Sequence, residues 1–247
     1  MISEIVTNSK QEEGILNLRI LFVIITFFYV TNVSAAIKVS CIGNSITEGN
    51  LGGKYPVYLA DLLGDQYRVE NHGVRGTTLL RNGNKPYWKR GKLDQVFKFR
   101  PDIIIIKLGT NDTKPKNWNK HKEEFKPDIQ KLIDTLSSMK SKPDIFLVLP
   151  APVFSNSYGI QAGNLAPIIT IIKEVSKTKN IPVIDINTPM QNFRGYFPDG
   201  VHPNNAGADT IAHYILKALI AHTKTSTDPN CETEATSRIL NGPQNPQ

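Results

Sequence analysis

Four short segments of the chain combine serine, histidine, asparagine and acidic residues with glycines. They are residues 43–49, 71–78, 109–112 and 197–204. A serine hydroxyl is a weak nucleophile, so it needs a general base and a group that orients that base. Ser45 supplies the hydroxyl, and Asp199 precedes His202 by three residues. On a tight loop the carboxylate reaches one ring nitrogen while the other faces Ser45, which predicts nucleophilic acyl transfer.

The other four histidines show no acidic partner in a comparable loop. They are His72, His121, His213 and His222. We therefore predict that His202 is the general base and that Asp199 orients it.

Acyl transfer also needs hydrogen-bond donors for the negative oxygen of the tetrahedral intermediate. The backbone amides of Ser45 and Gly76 and the side-chain amide of Asn111 provide three. Glycine at position 76 lets the backbone approach a substrate closely. Each of the four segments taken alone also fits a turn or a helix N-cap. Four such segments brought to the same edge of one sheet by the fold would instead favour a functional site.

Several other kinds of site have no motif in this sequence. The Gly-x-Ser-x-Gly elbow of α/β-hydrolases does not surround Ser45, and no Gly-x-Gly-x-x-Gly or Walker-type loop occurs. No cluster of histidine, cysteine and carboxylate residues has metal-ligand spacing. We expect neither a cofactor nor a metal.

The chain between these segments alternates strand and helix patterns. Strands are predicted at 37–43, up to about Asn71, 103–106, 145–149 and 183–186. Helices are predicted at 55–63, about 120–139, with a restart at Pro127 as an alternative, 161–177 and 206–221. Five strands with intervening helices imply a parallel sheet with helices on both faces. Ligands of such sheets bind beyond the carboxyl ends of the strands, where the four segments fall.

Length and composition indicate one globular domain. The chain has 247 residues, of which 40% are hydrophobic and 21% charged. The net charge of +7 is spread along the sequence, and the densest basic patch, 114–122, leads into acidic residues. We interpret that patch as a solvated loop and helix start, and we predict no nucleic-acid partner.

The N-terminal segment has the pattern of a secretory signal. Arg19 precedes an apolar run at 20–30, which is followed by the small residues Ser34, Ala35 and Ala36. The run is too short to span a bilayer core, which needs about 20 residues. We predict that residues 1–35 are a cleaved signal peptide. The alternative is an uncleaved anchor, because acidic residues precede Arg19.

This interpretation divides the chain into three parts. A catalytic domain at 36–222 follows the signal, and a polar, loosely ordered tail occupies 223–247. We expect a secreted or periplasmic protein without stable membrane insertion after signal cleavage.

The four segments in this order resemble the blocks of the SGNH, or GDSL-type, hydrolase superfamily, over about residues 37–222. The resemblance implies a flavodoxin-like three-layer α/β/α fold and cofactor-free ester hydrolysis. It also implies Ser45 as nucleophile, His202 as base and Asp199 as its orienter, with Ser45, Gly76 and Asn111 as the oxyanion hole. The chain departs from the family pattern at Asn44, where the family usually has Asp, and we interpret Gly73 as a turn residue.

Aromatic residues near the site give a hint of the substrate. Tyr87, Trp88 and Trp118 fall on loops that could cover the site, beside polar amides, as suits a sugar face. The alternative is hydrophobic packing beneath long loops. The layout is similar to exported carbohydrate O-acetylesterases, including sialate O-acetylesterase-like proteins. We expect a small-molecule or glycan ester substrate, with O-acetyl groups of the sialic acid or xylan type removed through an acyl-enzyme.

Two other functions are compatible with the same residues. One is a lysophospholipase or thioesterase on this scaffold, which needs an acyl channel. The other is a glycan-binding module without catalysis, against which the intact Ser45, Asp199 and His202 argue.

Overall fold

The structure is a computed structural model that describes residues 35–49, 51 and 53–226. Its strands are β1 (Ile37–Gly43), β2 (Tyr67–Gly73), β3 (Ile103–Lys107), β4 (Asp144–Val148) and β5 (Val183–Ile184). They form one sheet in the order β2-β1-β3-β4-β5, with parallel pairing throughout. The predicted five-stranded parallel sheet is confirmed.

Helices cover both faces of the sheet. They are α1 (Ser45–Glu48), α2 (Tyr55–Leu63), α3 (Lys92–Phe99), α4 (Pro115–His121), α5 (Phe125–Ser137), α6 (Leu165–Lys179), α7 (Asn187–Met190) and α8 (Asn205–Ser226). One hydrophobic cluster packs α3, α5 and α6 against one face, and a second packs α2 and α8 against the other. This confirms the three-layer α/β/α architecture.

The central strand β3 explains why its sequence is continuously apolar. Ile104 and Ile106 belong to the cluster on one face, and Ile105 belongs to the cluster on the other. Alternate side chains of a strand point to opposite faces, so a strand covered on both faces is apolar at every position.

Helix α3 is absent from the sequence-based prediction. Its buried residues Leu93, Val96 and Phe99 have helical spacing, but the helix is short and carries charged residues between them. It follows Gly91, which is left-handed and provides no side-chain cap. The segment therefore lacks the usual signal of a helix N-terminus.

The predicted helix at 120–139 is divided in the structure. A 3₁₀ turn at Lys122–Glu124 separates α4 from α5, which begins at Phe125. Pro127 lies in the first turn of α5, where its missing N–H breaks no helical hydrogen bond.

Helix α8 runs to Ser226, so the segment predicted as a tail from 223 onward begins as helix. The rest of that tail, 227–247, and the signal prediction for 1–34 lie outside the described residues. Within the part of the chain that the structure describes, no helix has both the length and the apolar character needed to cross a membrane.

Candidate active site

The proposed nucleophile is the first residue of helix α1, directly beyond the end of β1. Asn44 caps this helix, because its side-chain Oδ1 accepts a hydrogen bond from the Ile46 amide at 3.1 Å. Ser45 follows the carboxyl end of β1, and the residue is half-buried, so part of it is accessible to solvent. The strand end and the cap together fix where this hydroxyl lies.

The three side chains predicted to act together form one hydrogen-bonded line. Ser45 Oγ lies 2.9 Å from His202 Nε2, and His202 Nδ1 lies 2.7 Å from Asp199 Oδ2. Because an ionised Asp199 can only accept hydrogen bonds, the single N–H proton of the neutral His202 ring must lie on Nδ1. Nε2 then accepts the hydrogen bond from the Ser45 hydroxyl.

Backbone amides keep Asp199 ionised. Burial raises the pKa of this carboxyl, but hydrogen bonds from the backbone amide and the ring of His202, and from the Val201 amide, outweigh it. The pKa of Asp199 is therefore below its ordinary value. The two amides donate to Oδ1 at 2.7 and 2.8 Å, which leaves Oδ2 for the imidazole.

The loop after β4 holds the Asp199 backbone in place. The hydroxyls of Ser155 and Ser157 donate to the Asp199 carbonyl oxygen at 2.8 and 3.0 Å, and the Phe154 amide donates to the Gly200 carbonyl at 2.7 Å. Sequence analysis missed this loop. Its position directly after a predicted strand, at the edge where ligands bind, was the available signal.

The donors expected for an oxyanion lie on two further loops. Asn111 begins a 3₁₀ turn beyond β3, and its buried Nδ2 has no hydrogen-bond partner among the described residues. Gly76 has φ +77°, a left-handed conformation that favours glycine. A buried donor without a partner is costly, so the Asn111 amide is well suited to a ligand oxygen.

The glycine-containing loop is tied to the nucleophile helix. Asn71 Nδ2 donates to the Thr47 carbonyl at 2.8 Å, and Glu48 Oε2 accepts from the Arg75 amide and Nε at 2.8 and 2.9 Å. A Cβ on Gly73 would lie 2.2 Å from the Glu48 nitrogen. Gly73 is the last residue of β2 and allows close packing against α1, so its interpretation as a turn residue is wrong.

Asp112 connects the asparagine loop to the segment that follows Gly76. Its carboxylate oxygens accept the amides of Leu80 and Leu79 at 2.8 and 3.0 Å. Burial raises the pKa of Asp112 to about 7, although these two amides lower it. Asp112 therefore links the loop of Asn111, which carries the side-chain donor, to the segment that follows Gly76, which carries the backbone donor. Its place in the motif did not reveal this role.

An acidic partner does not distinguish His202 from the other histidines. Each of them has a carboxylate within 4.0 Å, in the pairs His72–Glu70, His121–Glu124, His213–Asp209 and His222–Asp144. His121 and Glu124 have the same three-residue spacing, but they lie at the end of α4 and in the 3₁₀ turn after it rather than in a loop. His72 even has a serine, Ser40, at 3.0 Å from Nδ1, but Ser40 is fully buried. Ser45 is half-buried rather than fully buried, and this difference sets its pair with His202 apart from the pair of Ser40 with His72.

Two of the three aromatic residues predicted to bind substrate are core residues. Tyr87 is 1% exposed, and its hydroxyl donates to the His72 carbonyl at 2.7 Å. Trp118 is buried and packs edge-on against Phe125, with ring centroids 5.9 Å apart. Neither ring has a face open to a sugar, so the prediction is wrong for both and the packing alternative holds.

Trp88 is half-buried. Its indole N–H donates to the Leu79 carbonyl at 3.1 Å, and the Arg81 guanidinium lies 5.4 Å from the ring centroid. Substrate contact by Trp88 remains a prediction.

The donor set of this site contains no metal-binding cluster. Within residues 35–49, 51 and 53–226, no group of three or more histidine, cysteine or acidic side chains is arranged to hold a metal ion.

A parallel sheet with a serine, a histidine and an aspartate aligned at its carboxyl edge defines a hydrolase of the SGNH class. The chain belongs to the GDSL-like Lipase/Acylhydrolase family, whose model matches residues 41–210. The match includes every residue of the aligned set.

Curated relatives carry esterase names. An acetylxylan esterase of Xylanibacter ruminicola is 36% identical over 208 residues, which are 74% of this chain and 43% of that protein. A multidomain esterase of Ruminococcus flavefaciens is 27% identical over 242 residues, 81% of this chain and 30% of that protein. The chain thus spans less than half the length of these relatives.

A solved structure has the same fold. An acetylxylan esterase from Geobacillus stearothermophilus superposes with a TM-score of 0.59 at 21% identity, covering 76% of this chain and 96% of that one. At this identity the likeness bears on the fold alone.

Proposed function

We propose that the chain is a serine esterase that removes O-acetyl groups from carbohydrates of the xylan type. The single observation that carries the proposal is the 2.9 Å hydrogen bond between the hydroxyl of the half-buried Ser45 and His202 Nε2. The relative named acetylxylan esterase, at 36% identity, supports the substrate class.

The first half of the proposed reaction forms an acyl-enzyme. Ser45 Oγ attacks the acetyl carbonyl carbon while its proton passes to His202 Nε2. The ionised Asp199 stabilises the imidazolium through Nδ1. The amides of Ser45 and Gly76 and the side chain of Asn111 donate to the oxyanion. The C–O bond to the sugar then breaks, and His202 returns the proton to the departing sugar oxygen.

The second half releases acetate. His202, neutral again, takes a proton from water as that water attacks the acetyl carbonyl on Ser45. The same donors hold the second oxyanion, and its collapse breaks the bond to Ser45 Oγ. The serine recovers its proton from the imidazolium, and acetic acid leaves and ionises to acetate in solution.

Replacement of the nucleophile tests the proposal. We expect Ser45→Ala to lower acetate release from acetylated xylan by about 10⁴-fold or more, because the covalent step is lost. The melting temperature is expected to stay within a few degrees of the wild type, since the change removes only the hydroxyl oxygen of a half-buried residue. Acetate assayed enzymatically gives the rate, and Ser40→Ala is the matched control at the buried serine.

The choice of substrate class has its own test. We expect acetyl esters of xylo-oligosaccharides to be cleaved faster than octanoyl esters of the same sugars. Faster octanoyl cleavage would favour a lysophospholipase or thioesterase. Binding of xylan without acetate release would favour a non-catalytic glycan-binding module.

We also propose that the protein is exported through a cleaved N-terminal signal. Arg19 followed by the apolar run at 20–30 and the small residues at 34–36 supports this. Expression of the full chain in a secreting bacterial host and N-terminal sequencing of the product test it. We expect a mature end at Ala36 or Ile37, and a membrane-bound product with an intact N-terminus would indicate an anchor instead.

A further inference from the structure

One aromatic ring next to the site is exposed, whereas the other aromatic rings that the structure describes, apart from Phe97, are buried or half-buried. Tyr158 lies in the 3₁₀ turn Ser157–Gly159 of the loop after β4. Its side chain is 59% exposed, the largest value among large hydrophobic residues in the part of the chain that the structure describes. An exposed tyrosine ring beside the site has an apolar face and a polar tip that are both open to a ligand.

The backbone holds Tyr158 in an unfavourable conformation. Its φ of +58° is left-handed, which is uncommon for a residue with a bulky side chain and costs on the order of 1 kcal/mol or more. Strain of this kind is concentrated at functional sites, where the surrounding structure maintains it. The serine hydroxyls that bond to the Asp199 carbonyl fix the flanking backbone here.

Two contacts place Tyr158 at the catalytic pair. Its hydroxyl donates to Asp199 Oδ2 at 3.1 Å. Its ring packs against the His202 ring at 71°, with centroids 5.2 Å apart. Asp199 already receives two backbone amides and the imidazole, so it does not depend on the tyrosine for its position. The exposed part of the ring is therefore free for another purpose.

The chemistry of this ring fits a sugar better than an acyl chain. A pyranose has a flat apolar face of C–H groups, which packs on an aromatic ring, and an edge of hydroxyls, which stays hydrated. An acyl chain would need an enclosed apolar channel, whereas Tyr158 is open to solvent. Its position against the histidine that protonates the leaving oxygen places it beside the sugar that carries the ester.

We propose that Tyr158 is a substrate-binding residue whose ring packs against a pyranose of the acetylated glycan. The inference rests on the proposed function, and it supplies an aromatic contact in place of the buried Tyr87 and Trp118.

The first test separates the ring from its hydroxyl. Tyr158→Asn removes the ring and tolerates a positive φ, and Tyr158→Phe removes the hydroxyl alone. Phe97→Ala, at an exposed ring on α3, is the matched control. We expect Tyr158→Asn to lower kcat/KM for acetylated xylotetraose about tenfold, mainly through KM, and for ethyl acetate less than twofold. Equal losses on both esters would show that Tyr158 acts only through Asp199, which would overturn the inference.

The second test measures binding without turnover. Calorimetric titration of unacetylated xylotetraose into Ser45→Ala, with and without Tyr158→Asn, is expected to show at least tenfold weaker binding in the double variant. The same Kd in both proteins, or no binding by Ser45→Ala, overturns the inference. Binding that depends on Tyr158 without cleavage of the acetylated sugar by the wild type would instead overturn the proposed esterase function.

Discussion

The two serines with histidine partners show how position decides the chemistry of a side chain. Ser40 and His72 form a hydrogen bond in the interior, with Glu70 beyond the ring. Ser45 and His202 form a similar bond at the edge of the sheet. Only the second serine is open to solvent, so only it can meet an ester.

Asn44 allows a prediction about helix capping. Asn44→Ala removes the acceptor of the Ile46 amide, and loss of an N-cap costs about 1 kcal/mol. We expect a lower free energy of unfolding in urea and a reduced kcat, because Ser45 follows directly. Asn44→Ser retains an acceptor and should keep most of the stability. Equal stability of Asn44→Ala and the wild type would contradict a capping role.

Lys107 allows a prediction about pH. Its Nζ is buried without a hydrogen-bond partner among the described residues, and burial lowers its pKa from 10.5 to about 7. Between pH 7 and pH 10.5 the Lys107 side chain is protonated in the unfolded chain but not in the folded protein. The free energy of unfolding therefore rises with pH over this range, because burying Lys107 as a neutral amine costs less as the unfolded chain loses the same proton.

The matched variant for this residue is Lys107→Met, which keeps the length of the side chain without the amine. We expect it to be more stable than the wild type at pH 7.5. The difference in unfolding free energy should shrink by about 1.4 kcal/mol per pH unit up to pH 9.5. A difference that does not vary with pH would show that the amine is not desolvated in the folded state. Urea unfolding of both proteins at several pH values measures this difference in unfolding free energy.

At the scale of elements, the contact of α1 with the end of β2 sets the position of Ser45. A Cβ at Gly73 would collide with the backbone nitrogen of Glu48, so Gly73→Ala must displace α1. We expect a destabilisation of about 1–3 kcal/mol and a lower kcat. Gly163→Ala is the control, because a Cβ there meets nothing within 4 Å. Unchanged kinetics in Gly73→Ala would mean that α1 can shift without moving Ser45.

Strong local patterns made most elements predictable. The β-branched run of β3 and the apolar spacing of α2 gave bounds within a residue or so of those observed. Helix α3 could not be found in this way, because its stability comes from three buried side chains that meet the sheet. Local sequence does not contain that contact.

At the scale of the molecule, residue types and their order indicated the candidate site, while burial did not follow from them. Tyr87 and Trp118 lie in segments that combine aromatic and polar residues, as sugar-binding loops do, yet tertiary packing buries both side chains. Tyr158 has no distinctive sequence signal, and its exposed ring lies in a left-handed turn beside Asp199 and His202. Which aromatic ring faces solvent depends on how distant loops meet, which a sequence pattern cannot state.

The separation of Ser45 from His202 by 157 positions has a consequence for biosynthesis. A ribosome produces the hydroxyl early and the imidazole only just before α8. The Ser45–His202 hydrogen bond therefore forms only after the segment at 197–204 has been synthesised, and a nascent chain that lacks this segment contains the hydroxyl without its imidazole partner.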